Sequence, residues 1–98
     1  MSLQMVRFRT DSGTAAEVRS QLVRVFAALH AASPQSVVYT AYSSESGQDF
    51  ILALETEEAA ENPLMGLPQA AQLRDLISRA VGAPVLPEPF TVVGSYNS

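Results

Sequence analysis

The segment Phe50-Ile51-Leu52-Ala53-Leu54 is apolar at five consecutive positions, between Asp49 and Glu55. A strand turns successive side chains to opposite faces of its sheet, so this run is greasy on both sides and needs cover on both. Ser36 to Ser44 precedes it, with Val37, Tyr39 and Ala41 on one side and Val38, Thr40 and Tyr42 on the other. Only Glu45-Ser46-Gly47-Gln48 separates the two. A link that short predicts an antiparallel hairpin of Ser36–Ser44 with Asp49–Thr56.

The flanking segments supply the rest of the fold. Leu3 to Thr10 alternates, with Val6 and Phe8 opposite Met5, Arg7 and Arg9, and reads as a first strand. Asp11-Ser12-Gly13 reads as a turn, and Thr14 with Glu17 has the spacing of a capping box. Val18, Leu22, Val25, Phe26 and Leu29 then recur at three- and four-residue steps. They predict an amphipathic helix from about Ala15 to Ala32, with Arg19, Gln21 and Arg24 mostly off its stripe, ended by Ser33-Pro34. Glu57 to Glu61 reads as a short helix or turn. Pro68 suits the first turn of a second helix with the stripe Leu73, Leu76, Ile77, Ala80 and Val81. Gly82 suits a left-handed end, and Pro84 forbids continuation. Phe90-Thr91-Val92-Val93-Gly94-Ser95-Tyr96 reads as a closing strand.

The order β-α-β-β-α-β predicts a single α+β domain over residues 1–98. It is a ferredoxin-like four-stranded antiparallel sheet with both helices on one face. Helices on one face leave the other to water, yet three of the four strands are apolar on both. Contiguous apolar surface of several hundred Å² marks an interface more often than a free surface. At about 25 cal/mol per Å², hiding it is worth many kcal/mol before the costs of association. Two copies packed sheet to sheet about a two-fold axis would bury it, giving a homodimer. The competing reading is that short strands often contain Val, Ala and Thr whatever their exposure.

Composition narrows the function classes. The charged share is 16% against a hydrophobic 47%, and the net charge is −4, with arginine supplying every cation. That sign and the scattered arginines argue against nucleic acid. No apolar run approaches the roughly 18 residues of a membrane span, and the start Met1-Ser2-Leu3-Gln4 lacks the pattern of a signal peptide. A chain without cysteine has no disulfide framework or thiolate nucleophile, and a cytoplasmic address is the expectation. Phosphate-loop, serine-hydrolase and zinc-protease motifs do not occur. The acidic cluster Glu55, Glu57, Glu58 and Glu61 has no histidine at metal-ligand spacing and reads as a solvated helix start, so no metal is expected.

Met5-Val6-Arg7-Phe8-Arg9-Thr10 with Gly13-Thr14-Ala15-Ala16-Glu17 resembles the opening of the antibiotic biosynthesis monooxygenase (ABM) family. Val38-Tyr39-Thr40-Ala41-Tyr42 and Phe50 to Thr56 resemble its second and third strands. Pro63-Leu64-Met65-Gly66 through Leu73, and Gly82-Ala83-Pro84, resemble its linker and second helix. The resemblance implies a dimeric α+β barrel and a pocket between sheet and helices for a flat, mostly apolar small molecule, a small aromatic ligand. It also implies oxidation of a phenol or quinol with no cofactor. The family's haem-degrading branch relies on a tryptophan and a histidine in the second half of the chain. Here there is no tryptophan, and the one histidine, His30, lies in the first helix. The alternative function is a non-catalytic dimer that binds a ligand or a protein partner.

No residue stands out as catalytic, but five are ligand-binding candidates, each with a plainer reading. His30 lies about 90° from the centre of the helix stripe, where a solvated residue favourable to the C-terminal dipole is the commoner outcome. Arg7 would look into a barrel if Val6 and Phe8 face the helices, or sit on a rim with its stem on apolar surface. Tyr39 and Tyr42 point to opposite faces, and each phenol either meets a substrate oxygen or packs as an amphipathic core residue. Asn62, just before Pro63, lines a cleft or simply caps a turn.

Overall fold

The computed structural model describes residues 2–57 and 62–97. The hydrophobic hairpin forms as its sequence dictates: β2 spans Val37–Ser43 and β3 spans Asp49–Thr56, antiparallel, with Tyr39 opposite Leu54 and Ala41 opposite Leu52. Gly47 closes the turn at φ 79°, with its N–H donating to the Ser44 carbonyl at 2.9 Å. A side chain there would be strained, and its Cβ would collide with the Arg19 guanidinium, which donates to the Gly47 carbonyl at 2.7 Å. That bond ties the hairpin to the first helix.

β1, Ser2–Arg9, pairs antiparallel with β3 along its whole length, placing Val6 opposite Leu52 and Phe8 opposite Phe50. β4 is only Glu88–Phe90 and pairs with β1 at Met5 to Leu3. The sheet order is β2-β3-β1-β4, so the chain is α+β, with a four-stranded antiparallel sheet and two helices, compatible with a ferredoxin-like arrangement. Both helices, α1 (Ser12–Ala32) and α2 (Pro68–Val81), pack on one face. Val18, Leu22 and Val25 of α1 and Leu73 and Ile77 of α2 close over Phe8, Phe50 and Leu52. The Phe8 and Phe50 rings stack at 5.3 Å, and the Arg19 guanidinium lies 5.5 Å from the centre of the Phe50 ring.

Several expectations need correction. The cap of α1 is Asp11, not Thr14: the Asp11 carboxylate accepts from the Thr14 N–H at 2.7 Å, so Ser12 and Gly13 belong to the helix rather than to a turn. That hydrogen bond holds the Asp11 carboxyl below its ordinary value. Gln21, expected off the stripe, is buried between the helices. Its Nε2 donates to the Gln69 carbonyl at 2.8 Å, and its Oε1 accepts from Arg24 at 3.1 Å. Paired this way, a polar residue can occupy a helix seam without a desolvation penalty. Val81, expected on the α2 stripe, is exposed. The closing strand ends where it was expected to begin, at Phe90, because beyond Leu3 β1 has little strand left to pair with; residues 91–97 carry no assigned strand. The expected segment 57–61 falls almost wholly outside the described residues.

Other boundaries agree with the sequence. α1 stops at Ser33, left-handed at φ 48°, and α2 runs from Pro68 to the left-handed Gly82 at φ 85°. No helix among the described residues is long and apolar enough to cross a membrane. The face away from the helices carries Leu3, Met5, Ile51 and Ala53 with Val38, Tyr42 and Phe90, the last three 49%, 54% and 42% exposed.

Phe50 is the centre of the core, so Phe50→Ala should cost about 3–5 kcal/mol of unfolding free energy. Urea denaturation checks this, and a loss below about 1 kcal/mol would contradict the packing described.

Candidate functional site

The core is filled unevenly along the sheet. At one end the stacked rings of Phe8 and Phe50 occupy the space beneath α1. At the other end, the helix-facing positions of β1 are Val6 and Gln4, and no aromatic ring on β1 or β3 fills the space under α2. A cavity of about 390 Å³ results. Its floor is Gln4, Val6, Leu52, Leu54 and Tyr39, and its roof is the Leu73 and Ile77 side of α2. The strap Pro84–Pro87, which runs from the end of α2 to β4, forms its outer wall, and Asn62 stands at its margin. This size and apolar lining suit a small organic molecule rather than an ion.

Two sequence candidates meet here. Tyr39 projects from the inner side of β2, where its ring lies 5.4 Å from that of Phe26. Burial pushes its phenol up to about 12, so at neutral pH it is a hydrogen-bond donor and not an anion. Asn62 caps the short 3-10 helix Pro63–Gly66, its Oδ1 accepting from the Leu64 N–H at 2.9 Å. The capping role seen in the sequence is therefore real, and it fixes the side chain so that the Nδ2 hydrogens remain for another acceptor. Capping and cavity lining coexist in one residue.

The other candidates lie elsewhere. His30 is exposed at the end of α1, beside a shallower groove that also touches Tyr39, and its carbonyl accepts from the Ser33 hydroxyl at 2.9 Å. Tyr42 and Arg7 are exposed on the face of the sheet away from the helices, as the alternation around Phe8 requires. Arg7 lies in a second groove on that face, with Met5, Phe90 and the outer side of the strap. The structure thus separates the five candidates into a pair at the cavity, a pair on the open face, and His30 alone.

Gln4, Arg74, Asp75, Ser78 and the strap also line the cavity and were not singled out from the sequence. Gln4 sits in the alternation at an inward position, so its parity with Val6 and Phe8 was the available signal. Arg74, Asp75 and Ser78 occupy the flank of an amphipathic helix, which a hydrophobic stripe does not distinguish from plain solvated surface. Among the described residues, no three His, Cys, Asp or Glu side chains gather as a metal would require. Comparison with family models, with curated proteins and with solved structures finds no match for this chain.

The raised Tyr39 phenol links stability to alkaline pH. The folded form favours the protonated phenol, so its stabilising contribution is complete below the ordinary tyrosine value near 10 and is lost as pH rises towards about 12. Wild type should lose thermal stability across that window more steeply than Tyr39→Phe. In a spectroscopic titration of the three tyrosines, one should ionise late and vanish in the variant. Identical alkaline profiles for the two proteins would contradict a buried phenol.

Proposed function

We propose that this chain is a cytoplasmic, ABM-like homodimer whose two sheets pack face to face as an α+β barrel. Its cavity takes a flat, mostly apolar phenol or quinol and oxidises it with O₂, without metal or organic cofactor. The observation that carries the reading is the cavity under α2: its lining is mostly apolar, and Tyr39 and Asn62 border it as hydrogen-bond donors, beside Gln4 and the polar flank of α2 at Arg74, Asp75 and Ser78.

Both donors suit the charge that such a reaction develops. A phenol reacts with O₂ through its anion, and fixed donors in a water-poor pocket stabilise an oxyanion without reorganising. For a simple phenol oxidised at the carbon para to its hydroxyl, one atom of O₂ ends as the new quinone oxygen. The other leaves as water with two hydrogens of the substrate, and the phenol supplies all four electrons. An apolar interior also favours O₂ and a planar ring over bulk water. Support for the dimer comes from the open face, where Val38, Tyr42 and Phe90 are exposed beside Met5 and Ile51.

Oxygen uptake with a panel of hydroquinones and naphthols tests the reaction. Turnover by wild type should fall in Tyr39→Phe by roughly 10²–10³-fold, the scale of losing one donor to a developing oxyanion. A flat trace with every substrate, from protein shown to be folded, would contradict the oxygenase. If the same compounds still bound saturably, the chain would be a ligand-binding dimer without catalysis.

A further inference from the structure

We infer that Tyr39 selects ligands by shape: its ring is the partition between the cavity under α2 and a second apolar groove under the end of α1. A phenol with a bulky group beside its hydroxyl is refused, and one with the same group on its far side is admitted. This selectivity rests on the phenol-binding reading above and names the class of phenol that the cavity takes.

The two spaces lie side by side on the inner face of the sheet. Leu54 of β3 floors the cavity, and Tyr39 stands opposite it on β2, one strand spacing away. Val37, two residues before Tyr39 and on the same side of β2, lies in the groove. Leu73 and Ile77 of α2 roof the cavity, and Phe26 and Leu29 bring the last turns of α1 to the groove. His30, Ser33 and Pro34 complete the groove, whose volume is about 260 Å³. Among the described residues, Tyr39 alone lines both spaces.

Tyr39 is a wall and not a flap. Its ring lies 5.4 Å from that of Phe26, tilted by 43°, and both side chains pack against the core. Phe26 itself lines the groove, so a Tyr39 ring turned that way runs into it. A ring turned the other way gives up the Phe26 contact and fills the space the ligand needs.

The Tyr39 hydroxyl meets the ligand's oxygen, so the positions beside that oxygen are the part of the ligand nearest the Tyr39 ring. A hydrogen fits there. A second ring does not, because the free space it would need lies beyond Tyr39, in the groove. The far end of the ligand points away from Tyr39, into the part of the cavity bounded by α2 and the strap Pro84–Pro87. The choice between two such phenols is therefore made by a clash, and a clash with a fixed ring weakens binding by roughly tenfold. Two roles of Tyr39 separate by substitution: phenylalanine keeps the ring without the hydroxyl, and leucine keeps neither.

Fluorescence titration with 2-naphthol, 3-phenyl-2-naphthol and 6-phenyl-2-naphthol tests the partition. The two phenyl isomers carry the same apolar surface, so general hydrophobicity cancels between them. Wild type should bind the 6-phenyl isomer roughly tenfold more tightly than the 3-phenyl isomer. Tyr39→Phe should weaken all three and keep that preference. Tyr39→Leu opens the partition and should reduce the preference to roughly twofold or less. Adding Val37→Phe to Tyr39→Leu fills the groove and should restore it. Where Tyr39→Leu does not fold, Tyr39→Met takes its place, and the wild-type comparison needs no variant. Equal affinity of wild type for the two isomers overturns the partition while the phenol-binding cavity stands. A preference that persists undiminished in folded Tyr39→Leu overturns it too. Folded wild type that binds none of the three overturns the cavity reading and the partition together.

Discussion

A strand that is apolar on both faces has to be covered on both, and β3 imposes this on everything around it. Its inner side chains, Phe50, Leu52 and Leu54, are buried beneath the helices, which fixes β1 and β2 on either side and sets their parity. Its outer side chains, Ile51 and Ala53, are shielded only by neighbours on the same face, among them Met5, Val38 and Tyr42. Two helices of this length serve one side of a four-stranded sheet. The covered side becomes a core with a gap at one end, and the uncovered side becomes a surface that a second molecule of like character would satisfy.

The gap follows from where the large side chains fall. Stacked phenylalanines crowd one half of the inner face, and Gln4, Val6 and Leu54 leave room in the other. α2 is held above that room by contacts at its beginning, where buried Gln21 grips the Gln69 carbonyl, and by Leu73 and Ile77 farther along. The result is a mostly apolar chamber bordered by a neutral phenol, an amide and the polar flank of α2.

Much of the scaffold was legible in the sequence because period and punctuation carried it. The five-residue apolar run, the link Glu45–Gln48, Pro68 and Gly82 each have one physical meaning, and each element formed where they placed it. The failures lie where two local signals competed. Asp11 and Thr14 are both good caps, and Asp11 takes the role because its carboxylate reaches the Thr14 N–H. Phe90–Tyr96 has strand chemistry throughout, but strand formation needs a neighbour, and β1 runs out beyond Leu3. Half-legible best describes the site. Tyr39 and Asn62 were among the residues suspected, whereas Gln4 and the strap act through position, which emerges only when the sheet and α2 are brought together. Gln21 left no sequence signal that separates it from the solvated face.

The homodimer proposed above requires the outer face of the sheet to be covered in solution. Sedimentation equilibrium across the micromolar range at neutral pH tests it most directly. A face-to-face dimer gives a single species of twice the 10.5 kDa chain mass. A stable particle of one chain mass, at every concentration reached, would contradict it.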